Sequence, residues 1–460
     1  MMHAPSSARP ALLPAADAIA SALEGRGFAA KRSSPRDAEG ELLVDLREAG
    51  FSEPVAINPG TAISRLRPGG EWALLLWWHG IPVDFEHLPP DVPRPVRPPR
   101  TGESVRVRVH VADLRALCVE VEAESDTLDL PGGKYQRLAE AACRSVYLLG
   151  LHYAAVTLRV LPGGGWCIAG VDPFPRAAEE LASAYGESIA ALVAALAGGA
   201  GNRDEAVLGA DPEFLMATQQ GRVLYASRYL EQAGTVGYDR QSRGRLGTVY
   251  PLVEVRPSPS PSPIVLAANT ERALAEAAER LPTRSTRWMA GSYPLGAYPT
   301  GGHIHFSGVP LTTPVLSALD NYLALPVMLL EDRRRSRQRR RKYGRLGDFR
   351  RKDHGGFEYR TLPSWLVSKE AARAVLCLAK VVAAEWHSLT GAPLQTLPMV
   401  KRFYQGRKAQ LRRFFPALWR RLLKTRTARA YRYELSYIPR ALAGGCEWDD
   451  EADFKKAWWD

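Results

Sequence analysis

Residues 206–217 read AVLGADPEFLMA, an apolar run broken at its centre by Asp211, Pro212 and Glu213. The run predicts a strand that turns at Gln219–Gly221 into a partner, GRVLYAS. Side chains two apart on a strand share a face, so Asp211 and Glu213 point the same way. Burying a carboxylate without a partner is costly. Two of them on one face of an otherwise apolar strand need a reason.

Outward from this stretch the pattern recurs three times. GTVYPLVEVRPSP carries Glu254 and Arg256 two apart and is ended by Pro257; GGHIHFSG carries His303 and His305; GFEYRTLPSW carries Glu358 and Arg360. Each pair alone has a plain reading: a turn, a surface cross-face pair, two satisfied core histidines, a salt-bridged strand. All four fall between Asp211 and Arg360. They make sense together if they converge on one wet, cation-filled site. Three or four carboxylates and an imidazole can hold two Mg²⁺ or Mn²⁺ ions through hard oxygen and nitrogen contacts. Arginines can hold phosphate oxygens in bidentate fashion. Helices are predicted between the strands at Ile264–Arg280, at Pro314 to about Arg334, and from the Ser368 cap to Trp386, with Glu370 in the first turn. Antiparallel strands with helices between them give an α+β fold class.

The 460 residues are enough for two or three domains. Hydrophobic content of 46% and charged content of 24% are those of an ordinary soluble globular chain. Lys and Arg number 61 against 49 Asp and Glu, a net charge of +12 with pI near 9.5. This favours an anionic partner: a nucleotide, an acidic substrate, nucleic acid or a surface. The positive charge is densest at Arg333–Lys352 and high again at Lys401–Arg440, with acids gathered at Glu447–Asp460. Five cysteines without a Cys-x-x-Cys spacing argue against a disulfide framework or a zinc ribbon. The start lacks a signal-peptide pattern and no window approaches 18 apolar residues, so a cytoplasmic location without a membrane span is expected. A proline-rich stretch at 88–104 and a glycine-rich joint at 198–204 divide the chain. The parts are an N-terminal accessory region (1–87), a linker (88–104), a small α/β domain (105–197), a domain with the four polar strands (205–400) and a basic extension (401–460). The first part offers a helix at Ala11–Leu23 and an apolar strand at Trp72–Trp78. The second begins with the alternating strand VRVRVHV, followed by a helix at Lys134–Leu149 and the strands AAVTLRVL and GWCIAGVDP.

Two resemblances follow from these residues. The order helix, LGLHYAAVTLRV, turn, strand ending in DPFP is faintly similar to the closing segment of ATP-grasp enzymes. Only Asp172 stands where that family has several acidic ligands and an Asn, so the segment reads as a degenerate remnant or a docking domain. The second resemblance is broader. Gly209-Ala210-Asp211-Pro212-Glu213-Phe214, Gly302-His303-Ile304-His305 and Glu358-Tyr359-Arg360-Thr361-Leu362-Pro363-Ser364 resemble, in order, the metal-binding strands of glutamine synthetase-type ligases. With Glu254-x-Arg256-Pro257, the set is similar to the phage- and bacteria-associated amidoligase family, COOH-NH2 ligase type 2, over residues 207–390.

That resemblance implies a glutamine-synthetase-like antiparallel sheet with flanking helices. It implies an ATP- and Mg²⁺- (or Mn²⁺-) dependent ligase that joins a carboxylate to an amine through an acyl phosphate. Asp211, His303 and Glu358 match ligands of the nucleotide metal, and Glu213, with Glu254, those of the metal nearer the acceptor. His305 is expected beside the phosphates. Arg360, Glu213 and Arg256 are the expected catalytic residues, Arg360 binding substrate carboxylate or the transferring phosphoryl. Arg340, Arg345 and Arg350 of the basic run are candidates for ATP phosphate contacts, the rest of the run reading as a solvated or nucleic-acid-facing loop. The substrates would be a carboxylate and an amine, a peptide or cell-wall-type molecule among them, with nucleic acid not expected. The rival readings are phosphoryl transfer on the same fold and a basic nucleic-acid-binding protein. The latter does not explain the acid and His pairs.

Overall fold

The computed structural model describes residues 12–32, 41–49, 51, 53–92, 104–121, 127–128, 135–161, 165–198, 206–242, 247–353 and 355–459. Most of the proline-rich stretch and of the glycine-rich joint lies outside the described residues. The chain divides into two units, Met1–Gly198 and Gly199–Asp460.

The described residues of the first unit form the strands Leu13–Pro14 (β1), Ala30–Arg32 (β2), Leu42–Val44 (β3), Val55–Ile57 (β4), Val105–Ala112 (β5), Arg115–Val121 (β6), Thr127–Leu128 (β7), Tyr153–Val160 (β8), Trp166–Asp172 (β9) and Arg176–Ala177 (β10). Its helices are Ala15–Gly25 (α1), Gly60–Ser64 (α2), Trp72–Trp78 (α3), Gln136–Leu148 (α4) and Glu179–Gly198 (α5). The alternation VRVRVHV buries Val107, Val109 and Val111 in an antiparallel five-stranded sheet of order β7-β6-β5-β8-β9. The expected division at 88–104 does not separate two bodies. β1 pairs with β10, and α1 packs so closely on α5 that a Cβ on Gly186 would lie 2.8 Å from the Ala18 carbonyl oxygen. The buried Asn58 ties the two halves further, accepting from the His152 backbone N–H at 2.7 Å and donating to the Tyr153 carbonyl at 2.9 Å. Trp72–Trp78, expected as a strand, is the helix α3. A seven-residue apolar run does not reveal its period, and here the i→i−4 bond from Leu75 to Glu71 closes a helical turn.

The second unit holds Val207–Thr218 (β11), Val223–Leu224 (β12), Val236–Ser242 (β13), Thr248–Val255 (β14), Thr286–Met289 (β15), Gly302–Ser307 (β16), Phe349–Arg351 (β17) and Phe357–Tyr359 (β18). These form one antiparallel sheet of order β13-β14-β11-β16-β18-β17, with β12 and β15 also paired to β11. The helices Pro263–Arg280 (α6) and Lys369–Glu385 (α10) pack on each other. The Ser368 hydroxyl caps α10 by accepting from the Ala371 N–H at 3.1 Å. The α+β class expected from the sequence is what the chain adopts.

The helix expected over Pro314–Arg334 is broken instead into Thr313–Ala318 (α7), a π turn at Leu319–Ala324, and Leu325–Leu330 (α8). Asp332 then starts a new helix, Arg333–Arg340 (α9), by accepting from the Arg335 N–H at 2.6 Å. By length and composition Thr313–Leu330 and α5 could each cross a membrane, which the sequence reading did not expect, yet 89% of the first is buried as core. Residues 401–460 are no appendage. After Leu397–Tyr404 (α11), Lys408–Leu411 (α12) and Phe415–Leu423 (α13), Trp448 donates its N–H to the Leu330 carbonyl at 2.7 Å. The Trp458 indole donates to the Leu366 carbonyl at 2.7 Å, and Phe454 sits edge-on to Phe214 of β11 with ring centroids 5.4 Å apart.

Candidate active site

β11 lies between β14 and β16, and its register decides what meets. Glu213 stands opposite Glu254, Asp211 opposite His303, and Gly209 opposite His305. On the next strand His305 stands opposite Glu358, and Glu358 opposite Arg350 of β17. Directly opposed residues share a face of the sheet. All four polar pairs therefore have members on one face. Close approach to the imidazoles needs glycine: a Cβ on Gly301 would lie 2.3 Å from Nε2 of His303.

Two clusters of possible metal ligands result. Asp211, His305 and Glu358 each offer an atom within 4.8 Å of the others, and so do Glu213, Asp239 and Glu254. In the first, Asp211 meets His303 Nδ1 at 3.0 Å and His305 Nε2 at 3.0 Å. His303 Nδ1 is also 3.4 Å from Glu358. Glu358 is ringed by cations, with Lys352 Nζ at 2.7 Å, Arg360 Nε at 3.1 Å and Arg350 Nη1 at 3.4 Å. Burial raises the Asp211 carboxyl, but His303 and His305 outweigh it and hold it below the usual carboxylate range. Glu358 is likewise raised by burial and by Asp211, yet His303, Lys352 and Arg350 bring it down.

The second cluster is different. Glu213 accepts the Gly301 N–H at 2.7 Å, but burial, Asp239 and Glu254 push its carboxyl well above the usual range. Glu254 is pushed up to about 8 by burial, Asp211 and Asp239, against the pull of Arg256. Among the described residues the cation ion-paired with these three acids is Arg256, bonded to Glu254 and to the Gly234 carbonyl. Buried carboxyls crowded enough to hold on to their protons fit a divalent cation, which would displace those protons and take their hard oxygens as ligands. Asp211 raises Glu254, so the two clusters act on each other across β11.

The structure sorts the residues expected from the sequence. Asp211, Glu213, Glu254, His303, His305, Glu358, Arg256, Arg350 and Arg360 are brought together. His305, expected beside the phosphates, offers an atom to the first cluster of possible metal ligands, whereas His303, expected as a metal ligand, lies against Asp211 and Glu358 outside that group of three. Arg340 is a correction. It is buried against Glu331, each side chain 2% exposed, with its guanidinium 4.4 Å over the Phe403 ring. Its place near the end of α9 turns it into the core. Arg345 donates to the Arg341 carbonyl at 3.0 Å, and its own carbonyl holds the Thr361 hydroxyl at 2.8 Å, which ties it to the loop after α9.

Three residues were missed. Asp239 joins the Glu213 cluster because β13 sets Gly237 opposite Glu254, two residues away on the same face. The sequence signal was Gly237 itself: a Cβ there would lie 2.4 Å from Arg256 Nη1. Lys352 was hidden in the basic run. Tyr343 carries the third: its hydroxyl lies 2.8 Å from His303 Nε2 and accepts from Arg360 Nη2 at 2.5 Å. The Asp211 carboxylate can only accept, so in the neutral ring Nδ1 carries the proton that faces it and Nε2 accepts from the Tyr343 hydroxyl. The only hint was Tyr343-Gly344 after a helix end, where Gly344 adopts φ +68°.

Residues 208–459 match the family described as phage phiEco32-like COOH.NH2 ligase-type 2. No curated protein matches the chain. Among solved structures, a bifunctional glutathione synthetase from Pasteurella multocida is similar with a TM-score of 0.33 and 9% identity, over 58% of this chain and 53% of that one. The chain thus spans about half the length of that enzyme.

Proposed function

The chain belongs to the phage phiEco32-like COOH.NH2 ligase-type 2 family, and on that premise we propose that it uses ATP to activate a carboxylate and joins it to an amine. The observation that supports this best is the pair of acid clusters acting on each other across β11. A free carboxylate is too poor an electrophile for an amine. One of its oxygens attacks the γ-phosphorus of ATP, the bond from that phosphorus to the β-bridging oxygen breaks, and ADP leaves. The amine nitrogen then attacks the carbonyl carbon of the acyl phosphate. The carbon–oxygen bond breaks, phosphate departs with its electron pair, and the nitrogen gives up a proton to that phosphate or to solvent.

Divalent cations bound at the clusters would neutralise phosphate charge and fix its geometry. Asp211, His305 and Glu358 would hold one, with His303 orienting Asp211 and Glu358. Glu213, Asp239 and Glu254 would hold the other. Arg360, fixed by Tyr343 and Glu358, presents a cation to the substrate carboxylate or the moving phosphoryl group. Arg350 and Lys352 add positive charge on the Glu358 side, and Arg256 keeps Glu254 in place. Catalysis of this kind is mostly positioning and charge neutralisation. The ATP it consumes is that of the cytoplasm, where we place the protein.

The test uses hydroxylamine as the amine, ATP with Mg²⁺ or Mn²⁺, and a panel of carboxylates that includes peptides. Hydroxamate should appear with equal ADP and phosphate, and Glu358→Ala should stop it while far-UV circular dichroism stays unchanged. A phosphorylated acceptor without hydroxamate, or full turnover by Glu358→Ala, would overturn the proposal.

A further inference from the structure

The basic run has members that the cleft does not use. Arg335 pairs with Glu451, Arg339 donates to the carbonyls of Thr300, Thr361 and Leu362, Arg340 pairs with Glu331, and Arg350 and Lys352 face Glu358. Lys342 meets the Tyr293 hydroxyl, Arg345 the Arg341 carbonyl and Arg351 the Phe349 ring, which leaves Arg333, Arg334, Arg337 and Arg341. Their spacing of one, four and eight puts them on one face of α9, and all four are exposed. With Asp332, Gln338 and Gln405 they line a cavity of about 640 Å³. Asp332, the one acid in that lining, is engaged in capping the helix, and Glu447 beside it accepts from the Arg333 backbone N–H at 3.3 Å and pairs with Lys408. Four neighbouring guanidinium groups with so little acid among them repel one another unless an anion sits between them.

The surface does not stop at α9. The turn between α11 and α12 is seated on it: a Cβ on Gly406 would lie 3.3 Å from the Arg333 carbonyl oxygen and 3.9 Å from the Arg337 Cβ. Arg407 follows and is exposed. From Lys401 to Arg440 there are thirteen Lys and Arg against Glu434 alone, and ten of the thirteen are exposed. The inward positions, Leu411, Trp419 and Leu422 among them, are buried.

We infer that the outward face of α9, continued by the turn at Gly406, binds the phosphate backbone of a nucleic acid. Two or three guanidinium groups would satisfy a small anion, whereas this surface offers an extended row. An anionic bilayer fits less well. The apolar faces of these helices are spent on the core, and between 397 and 443 Tyr433 is the one large exposed hydrophobic residue among the described residues, at 81%. Arginine outnumbers lysine ten to three in 401–440, and its planar fork suits phosphodiester oxygens. Gln338 and Gln405 add amide groups for sugar or base edges, and an exposed tyrosine can stack on a base. The sequence reading set nucleic acid aside because it left the acid and His pairs unexplained. The structure assigns those pairs and these arginines to different residues, so one does not exclude the other, and this inference stands apart from the ligase reading.

The test is anisotropy of a fluorescein-labelled single-stranded or duplex oligonucleotide with the full chain, between 50 and 200 mM salt. Binding should be tight at low salt and fall steeply on a log–log plot. Replacing Arg333, Arg334, Arg337 and Arg341 together with Ala removes four phosphate contacts. The slope should then flatten by about 3.6 on the duplex, at about 0.9 per contact, or by about 2.8 on the single strand, at about 0.7, and affinity at 100 mM salt should drop on the order of a thousand-fold. The four lysine replacements together should restore most of it. If the alanine variant does not fold, Arg334→Gln with Arg341→Gln should show about half of the slope change. Absence of binding at 50 mM salt, or a slope untouched by the variants, would overturn the inference. So would equal competition by polyglutamate of matched charge, or preference for phosphatidylserine vesicles over the oligonucleotide.

Discussion

Arg340→Ala separates two uses of the basic run. If Arg340 gripped ATP phosphates, its loss would raise the KM for ATP and leave the fold alone. The structure requires the opposite. Its guanidinium and the Glu331 carboxylate are each 2% exposed, and Glu331 would keep the Ser292 hydroxyl at 2.6 Å but lose its charge partner. Breaking a buried pair from one side costs about 3–5 kcal/mol, and the lost contact with the Phe403 ring adds about 1. Protonation of the stranded Glu331 returns part of that, which leaves about 4 kcal/mol. At about 2–4 °C per kcal/mol for a unit of this size, Tm should fall by roughly 8–16 °C. Urea and thermal unfolding measure this, together with the ATP KM of the folded fraction. Replacing both partners, Glu331→Met with Arg340→Met, should recover most of the stability. An unchanged Tm with a raised ATP KM would refute the reasoning.

Gly301→Ala places a methyl group 2.3 Å from His303 Nε2 in a buried setting, so the ring must leave Asp211 or Tyr343. Turnover should fall at least about tenfold while the fold persists, and wild-type turnover would show that the loop yields instead. Tyr343→Phe leaves His303 Nε2 without a partner and frees Arg360. Stability should drop by about 1–3 kcal/mol, with a lower kcat and a nearly unchanged ATP KM; a KM effect alone would contradict the positioning role. In the first unit burial lowers His152 from 6.5 to about 4, and the Asn58 N–H donates to its Nδ1 at 3.2 Å. The folded pKa is below the unfolded one, so protons bind the unfolded chain more readily. The stability this group supports is complete above pH 6.5 and is lost as pH falls toward 4, by about 3 kcal/mol. Urea midpoints across that range, compared with His152→Gln, should show this slope only in the wild type; a slope of opposite sign would contradict it.

The cleft was largely legible because a strand has period two. Asp211 with Glu213, His303 with His305, and Glu358 with Arg360 announce a shared face wherever the strand lies. What a strand meets across the sheet is not written in its own period. Asp239 enters through the β13–β14 register, next to an irregularity between Asp239 and Gln241, and its flanks Tyr238 and Arg240 read as ordinary surface. The basic run was opaque for a related reason. Its phase depends on where α9 begins, and Asp332 as cap turns Arg339 and Arg340 inward and Arg333, Arg334, Arg337 and Arg341 outward. Trp72–Trp78 misled because seven apolar residues suit a strand and a buried helix equally. The break placed at 88–104 misled because β1 and β10, far apart in sequence, pair across it.

Titration with Mn²⁺, followed by the electron paramagnetic resonance signal of the free ion, tests the two-cluster cleft most directly. The account predicts two bound ions per chain, with one lost in Glu358→Gln and the other in Glu254→Gln. Two ions retained by both variants, or no ion bound by the wild type, would contradict it.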